Sequence, residues 1–256
     1  TEADRSLHGH VSRAPEERRF SHDDLLKQLR AAASTGHLGV AEWRRLREEL
    51  AEGTPHFGPG EIALTLEGLA ALRSVDSHYL SPVLNTLGHL SFYMSGSQQA
   101  SSLVALAVLM PPQHLEDFGV DVPSSSASYS PAREVLLLSS LVQRRLHCLS
   151  SSDLLRLLKS LLQLRCATFE LVQEIMLHMP PSLELTVEDL REVLVLTRLA
   201  VEQLSKTHAH VTDCSLALTV CVNGLRGVLA DLMGAIRVRL GDLSHEDVLH
   251  VLMSSH

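Results

Sequence analysis

Aromatic residues make up only 4% of the chain, and its four cysteines, Cys148, Cys166, Cys214 and Cys221, form no CxxC pair and match no metal-ligand spacing. That usage predicts buried, reduced thiols in a reducing compartment and excludes a disulfide-stapled secreted scaffold. Lysine is scarce as well: Lys27, Lys159 and Lys206 stand against 19 arginines. Strand signals are nearly missing, with no turn dipeptide set between alternating apolar runs. The longest apolar candidate, residues 216–236, is interrupted by Asn223, Arg226 and Asp231, and the run 103–110 is short and ends at Pro111-Pro112, so neither reads as a membrane span. The chain also lacks GxSxG, GxxxxGK[ST], HExxH and GxGxxG, which removes the usual nucleophile-elbow, phosphate-loop, zinc-protease and dinucleotide signatures. His8-x-His10 and His208-x-His210 lack further ligands at metal spacing, apart from Asp213 and Cys214 after the second, and read as polar loop histidines. Ser124-Ser125-Ser126 reads as flexible loop and Ser150-Ser151-Ser152 as a helix cap. The expectation is a protein that is not an enzyme, with no cofactor, no metal and no small-molecule substrate.

What the chain has is leucine at helical spacing, over and over. Hydrophobic residues are 45% of 256, enough for a large core but in a chain longer than the usual single compact domain. Residues 149–179 set the pattern. Leu154, Leu158, Leu161 and Leu164 mark one helix, and Phe169, Val172, Ile175 and Met179 mark a second. Ser150 to Asp153 signals the start of the first, and Thr168 is placed to cap the second. Such a hairpin cannot cover its own apolar face, so it must stack on neighbours of the same kind.

The chain supplies those neighbours. Phe20-Ser21, Phe57-Gly58 and Met94-Ser95 open similar units at two equal intervals of 37 residues. Leu29, Trp43, Leu46 and Leu50 follow the first start; Leu66, Leu69, Val83 and Leu87 follow the second; Leu103, Leu106 and Leu109 follow the third. Beyond Pro111-Pro112 the period loosens. The third unit's second helix is reduced to residues 114–118 at best, and a Pro/Ser-rich stretch leads to Tyr129-Ser130, which opens what reads as half a repeat. Leu185-Thr186 starts a longer unit whose second run, residues 214–240, looks too long and too rich in glycine (Gly224, Gly227, Gly234) for one helix, giving a repeat and a half. Leu243-Ser244, with Val248, Leu249, Leu252 and Met253, opens a seventh motif. The predicted architecture is all-α: a right-handed α-solenoid of helix-turn-helix repeats of about 37 residues. One helical-repeat domain spans residues 20–256, with starts near 20, 57, 94, 129, 149, 185 and 243 and an irregular loop at 111–130. Residues 1–19 are expected to form an N-terminal tail with no intact targeting peptide, its Arg5, Arg13, Arg18 and Arg19 compatible with a start that follows a removed one.

An apolar residue, then Ser, Thr or Gly, two variable positions, an acidic or amide residue, and leucines at helical spacing: repeated every 37 residues, this resembles the heptatricopeptide repeats. These are kin of octotricopeptide repeats and of the helical part of FAST-kinase-like and RAP-domain proteins. The resemblance covers most of residues 20–256, although no RAP domain is present. It implies an RNA-binding or ribosome-associated protein of mitochondria or plastids, with ribosomal RNA and neighbouring protein subunits as partners.

Charge bears on that implication. The formal net charge is −8 and the pI is near 6.0, far from the basic footprint of a domain held to nucleic acid by phosphate neutralisation. The solvent-facing positions seven and ten residues after each start hold Lys27 and Arg30 in the first unit and Arg156 and Lys159 in the fifth. The others hold Leu64 and Glu67, Ser101 and Val104, and Glu192 and Val195. Arg144, Arg145, Arg156, Lys159 and Arg165 are expected to share one ridge, which with Lys27 and Arg30 makes the candidate RNA-contacting set. Two readings stand. One is an RNA-associated subunit of a large organellar ribonucleoprotein such as a mitochondrial ribosome; the other is a protein-binding scaffold in a multi-protein assembly, without direct RNA contact.

Overall fold

A computed structural model describes residues 22–35, 39–73, 77–110, 131–181, 184–208 and 215–238. These residues form ten α-helices and no strand: α1 (His22–Thr35), α2 (Val40–Gly53), α3 (Pro59–Ala71), α4 (Ser77–Leu90), α5 (Gly96–Leu109), α6 (Pro131–Gln143), α7 (Ser151–Gln163), α8 (Phe169–His178), α9 (Val187–His208) and α10 (Ser215–Val238). Single 3₁₀ turns at Thr54–His56, Ser91–Tyr93 and Leu146–Cys148 lead into α3, α5 and α7. The all-α expectation holds for the described residues. The tail at 1–19, the stretch 111–130 and the motif at 243 lie outside them.

At the four described starts, 57, 94, 149 and 185, the recurring sequence motif opens a helix, and its chemistry is visible there. Before α3 the Gly58 N–H donates to the Glu61 carboxylate at 2.6 Å. Before α5 the Ser95 Oγ accepts from the Gln98 N–H at 3.3 Å, while the Ser95 N–H donates to Gln98 Oε1 at 2.9 Å. Before α7 and α9, Ser150 and Thr186 accept from the N–H groups of Asp153 and Asp189 at 3.2 and 3.1 Å and donate their hydroxyls to the same carboxylates. These are capping boxes or close variants, each satisfying donors that a helix start leaves orphaned. Phe57, Met94 and Leu185, the apolar residues that open the motif, are buried. Phe57 and Leu185 precede starts whose fifth residue after the opening is also apolar and buried, Ile62 and Leu190, the pattern of a hydrophobic staple. In α5 that place is taken by Gln99, fully buried, whose Nε2 donates to the Ser91 carbonyl at 2.9 Å.

Helices packed against one another fall into two rows. The odd-numbered helices lie side by side, α1 on α3, α3 on α5, α5 on α7 and α7 on α9, and the even-numbered helices do the same from α2 to α10. Each odd helix also packs on the even helix that follows it. One continuous apolar core runs between the rows. Leu66, Leu69, Val83, Leu158, Leu161 and Ile175, expected to be buried between layers, are all buried there. Polar contacts help tie the odd row together: His22 Nδ1 of α1 lies 3.6 Å from Glu61 of α3, Gln163 Nε2 donates from α7 to the Ala107 carbonyl of α5 at 2.6 Å, and Lys159 of α7 approaches Glu192 of α9 at 3.8 Å.

Two readings of the sequence are corrected. The helix expected to be half a repeat, α6, packs on α5 and takes the place of the second helix of the third pair. Its Val135, Leu138 and Val142 are fully buried, so it carries the apolar flank that α5 needs however long the connection between them. Within the run 214–240, expected to break, residues 215–238 form the single helix α10 paired with α9. A Cβ added at Gly224, Gly227 or Gly234 would meet nothing within 4 Å. Those glycines are sites of lower helix propensity, each costing about 1 kcal/mol, and not turns.

Gly68 differs from them. A Cβ there would lie 2.5 Å from Leu29 Cγ of α1, with both residues buried. Gly68→Ala should therefore destabilise the protein by roughly 1–3 kcal/mol by overpacking, although alanine is the better helix former by about 1 kcal/mol. Urea unfolding of the two proteins checks this; an unchanged or raised midpoint would mean that α3 does not approach α1 this closely.

Candidate interaction surface

Because the odd helices run side by side, their solvent-facing positions make one surface. Lys27 and Arg30 of α1, Glu67 of α3, and Arg156 and Lys159 of α7 are exposed, while Leu64, Ser101, Val104, Glu192 and Val195 are half-buried. Two grooves run along this surface. The first, about 300 Å³, lies over α3, α5 and α7 and is lined by Glu67, Ala71, Ser101, Val104, Val108 and Arg156 among others. The second, about 500 Å³, lies between α7 and α9, with Lys159 and Glu192 beside Leu162, Leu196 and Leu199. A third groove of about 610 Å³, lined by Met176, Met179, Val193, Val228 and Leu232, separates the end of α8 from α9 and α10.

The cations named from the sequence fall into two groups. Some already have partners. Lys27 sits 3.7 Å from Asp24 on its own helix, and Lys159 pairs with Glu192. Arg145 is half-buried at the start of α5, where its guanidinium donates to the Met94 carbonyl and its Cβ lies 3.1 Å from where Gly96 would carry one. Arg145 is thus a clamp between pairs of helices and does not project to a ligand. Arg30, Arg144, Arg156 and Arg165 are exposed, and no acidic group of the described residues pairs with them.

Arg144 follows α6 at the level where α7 begins, Arg156 lies midway along α7, and Arg165 follows its end, so these three are strung over about 20 Å of a 13-residue helix. Lys27 and Arg30 stand apart on α1. Arg165 occupies a left-handed backbone conformation, φ 52°. The Cys166 N–H bonds the Leu161 carbonyl at 3.0 Å and the Arg165 N–H bonds that of Leu162 at 3.1 Å, which is the Schellman closure of a helix.

Arg73 is among the exposed cations that the sequence reading did not name. Arg73 closes α3 as Arg165 closes α7, with φ 49° and an N–H bond to the Ala70 carbonyl at 3.0 Å, and it is exposed. Both arginines stand sixteen residues after their motif starts, Phe57 and Leu149. That shared register was the available signal, hidden because glycine is the residue expected at a left-handed closure.

The thiols differ from expectation in part. Cys166 is buried, with its Sγ 3.7 Å from the Leu161 carbonyl, and burial pushes the thiol up to about 12, against a smaller opposing effect of its backbone hydrogen bond. Cys148 is exposed. Cys214 and the side chain of Cys221 lie outside the described residues. Among the described residues no three His, Cys, Asp or Glu side chains gather at metal-binding distance, and no helix is long and apolar enough to cross a membrane.

Neither protein-family models nor curated proteins match this chain.

Thiol labelling checks the placement of the cysteines. An alkylating reagent should modify Cys148 well before Cys166 in the folded protein, because thiolate is the reactive form; comparable rates at both, read by peptide mass spectrometry, would contradict the buried site. The same shift sets a pH dependence. The folded thiol holds its proton above the ordinary 9.0, so this contribution to stability is complete below pH 9 and is lost as the pH rises towards 12.

Proposed function

We propose that this chain is a right-handed α-solenoid subunit of a large organellar ribonucleoprotein such as a mitochondrial ribosome, touching RNA locally and meeting protein over most of its surface. The reading rests on the heptatricopeptide-like repeat, whose defining residues act as capped and stapled starts of side-by-side helices. The observation that carries the RNA part is the set of exposed arginines without acidic partners, Arg144, Arg156 and Arg165, spread along α7. A guanidinium fork suits phosphate oxygens, and about 20 Å of helix is reach enough for a few nucleotides. Arg73 stands two helix pairs away, at the equivalent closure of α3.

A purely protein-binding scaffold is the second reading, and the overall charge of −8 favours it. So does the pairing of Lys159 with Glu192, which occupies a cation on the same surface. Extended, non-specific nucleic-acid binding fits neither reading, since it needs phosphate-neutralising groups in most repeats.

Affinity purification of the full chain from organelle extract, followed by a salt series, separates the two. The proposal expects RNA that is retained at low salt and lost at high salt. Replacing Arg144, Arg156 and Arg165 together by glutamine should flatten the log–log salt dependence by about two, as expected for three contacts to single-stranded phosphates. Protein partners retained with no RNA at any salt concentration would establish the scaffold reading instead.

A further inference from the structure

The turns that lead into α3, α5 and α7 share one edge of the molecule, because each packs on the even helix of the next pair: Thr54–His56 on α4, Ser91–Tyr93 on α6 and Leu146–Cys148 on α8. The two residues before each motif start are exposed in all three turns, and they place rings outward: His56 in the first, Phe92 and Tyr93 in the second, His147 in the third. Phe92 is 58% and Tyr93 78% exposed. By contrast Phe57 and Phe169 are buried, and Trp43 packs against the core. A single exposed ring is ordinary on a protein surface. Two adjacent ones at the tip of a turn, in a chain with so few aromatic residues, call for a ligand.

The charge around these rings says which kind. Residues 77–115, from the start of α4 past the end of α5, contain no Asp, Glu, Lys or Arg. Residues 135–152, most of α6 and the turn after it, contain Arg144 and Arg145 and no acid. The acid at the other end of α6, Glu134, is buried beside Gly88. In a chain of net charge −8, this edge is therefore a local exception of positive sign. The two segments are pinned together, since the Arg145 guanidinium donates to the Met94 carbonyl and the Arg145 Cβ lies 3.1 Å from where Gly96 would carry one. Tyr93 and Arg144 are the chain neighbours of those two bonded residues, so the exposed Arg144 stands on the same edge as the rings.

We infer that Phe92 and Tyr93, with Arg144 beside them, form a stacking site for unpaired bases of single-stranded RNA, the rings taking base faces and Arg144 an adjoining phosphate. Sites for single strands combine rings, on which any base can stack, with cations that follow the backbone. Splayed-out bases of RNA stack on Phe, Tyr and His alike, so His56 and His147 continue the same edge on either side. A duplex is a poorer ligand, because its bases are already stacked on one another. This site rests on the RNA reading above and adds to it the part of the RNA that is held.

The test titrates the full chain into fluorescein-labelled short single-stranded RNA of random sequence, and into a duplex of the same length, by anisotropy over a salt series. The single strand should bind at least tenfold more tightly than the duplex. Phe92→Ala and Tyr93→Ala should each weaken single-strand binding by roughly 5- to 100-fold, by the same factor at every salt concentration, because an uncharged ring releases no counterion. Arg144→Gln should instead lower the log–log salt slope by about 0.7, and Phe92→Tyr should restore the binding that Phe92→Ala loses. Ultraviolet crosslinking read by peptide mass spectrometry should place nucleotide adducts on Phe92 or Tyr93. Both rings are exposed, and circular dichroism verifies that the variants keep their helices. Single-stranded RNA bound equally well by the ring variants, or a duplex bound as tightly, would overturn the stacking site and leave the RNA reading standing. No RNA bound by the wild-type chain would overturn both. Ring variants that lose a protein partner while binding RNA unchanged would assign the rings to a protein interface and overturn the site as well.

Discussion

The structure depends on how short helices are made to start. Helices of 10–14 residues are marginal in water on their own, because nucleation is costly and the ends leave backbone groups unsatisfied. At Gly58, Ser95, Ser150 and Thr186 the chain answers both problems with one five-residue device: an apolar residue, buried at Phe57, Met94 and Leu185 and half-buried at Leu149, then the cap, then an acid or amide three residues on that bonds back to it. The apolar residue fixes the angle at which the chain enters the helix. It also plugs each pair into the core shared with its neighbour, so local capping and long-range stacking are decided by the same few side chains.

Stacking then sorts the remaining residues. Positions turned to the neighbouring pair are leucine, valine, alanine or, where helices approach most closely, glycine, as at Gly68 against Leu29. Positions turned to solvent on the odd row are free to vary, and their variation separates the chain into different surfaces. α7 is strongly two-faced, with Arg156 and Lys159 opposite its leucines, whereas α3 and α5 carry little or no charge outward. The acidity of the whole chain is compatible with a local cluster in which Arg144 and Arg165 flank α7 and Arg156 stands within it.

Much of this was legible in the sequence. The leucines of residues 149–179 and the cap residues Ser150 and Thr168 are placed by periodicity and by side-chain chemistry that acts within four residues, and both appear as expected. Partner choice was not legible in the same way. Nothing in the spacing says that α6, after a connection of twenty-one residues (110–130), returns to α5, because the information lies in an apolar flank that any neighbouring helix could use. The glycines of α10 misled for a related reason: glycine permits a turn without requiring one, and in open space it only lowers propensity. The five cations proved unequal in a way spacing does not encode: Arg145 bonds the Met94 carbonyl and Lys159 pairs with Glu192. Arg73 was missed because a non-glycine residue with positive φ leaves no mark in composition.

The central claim is that the odd-numbered helices form one row in chain order. Spin labels at Arg30, Glu67, Arg156 and Glu192, one on each of α1, α3, α7 and α9, test it by pulsed dipolar spectroscopy on labelled chains diluted with unlabelled ones. With 8–10 Å between neighbouring helices, the separation from Arg30 should rise steadily, from about 10 Å to Glu67, to about 30 Å to Arg156, to about 40 Å to Glu192. Separations that fail to increase in that order, above all an Arg30–Glu192 distance no longer than Arg30–Glu67, would mean that the helices close into a compact bundle and that the row does not exist.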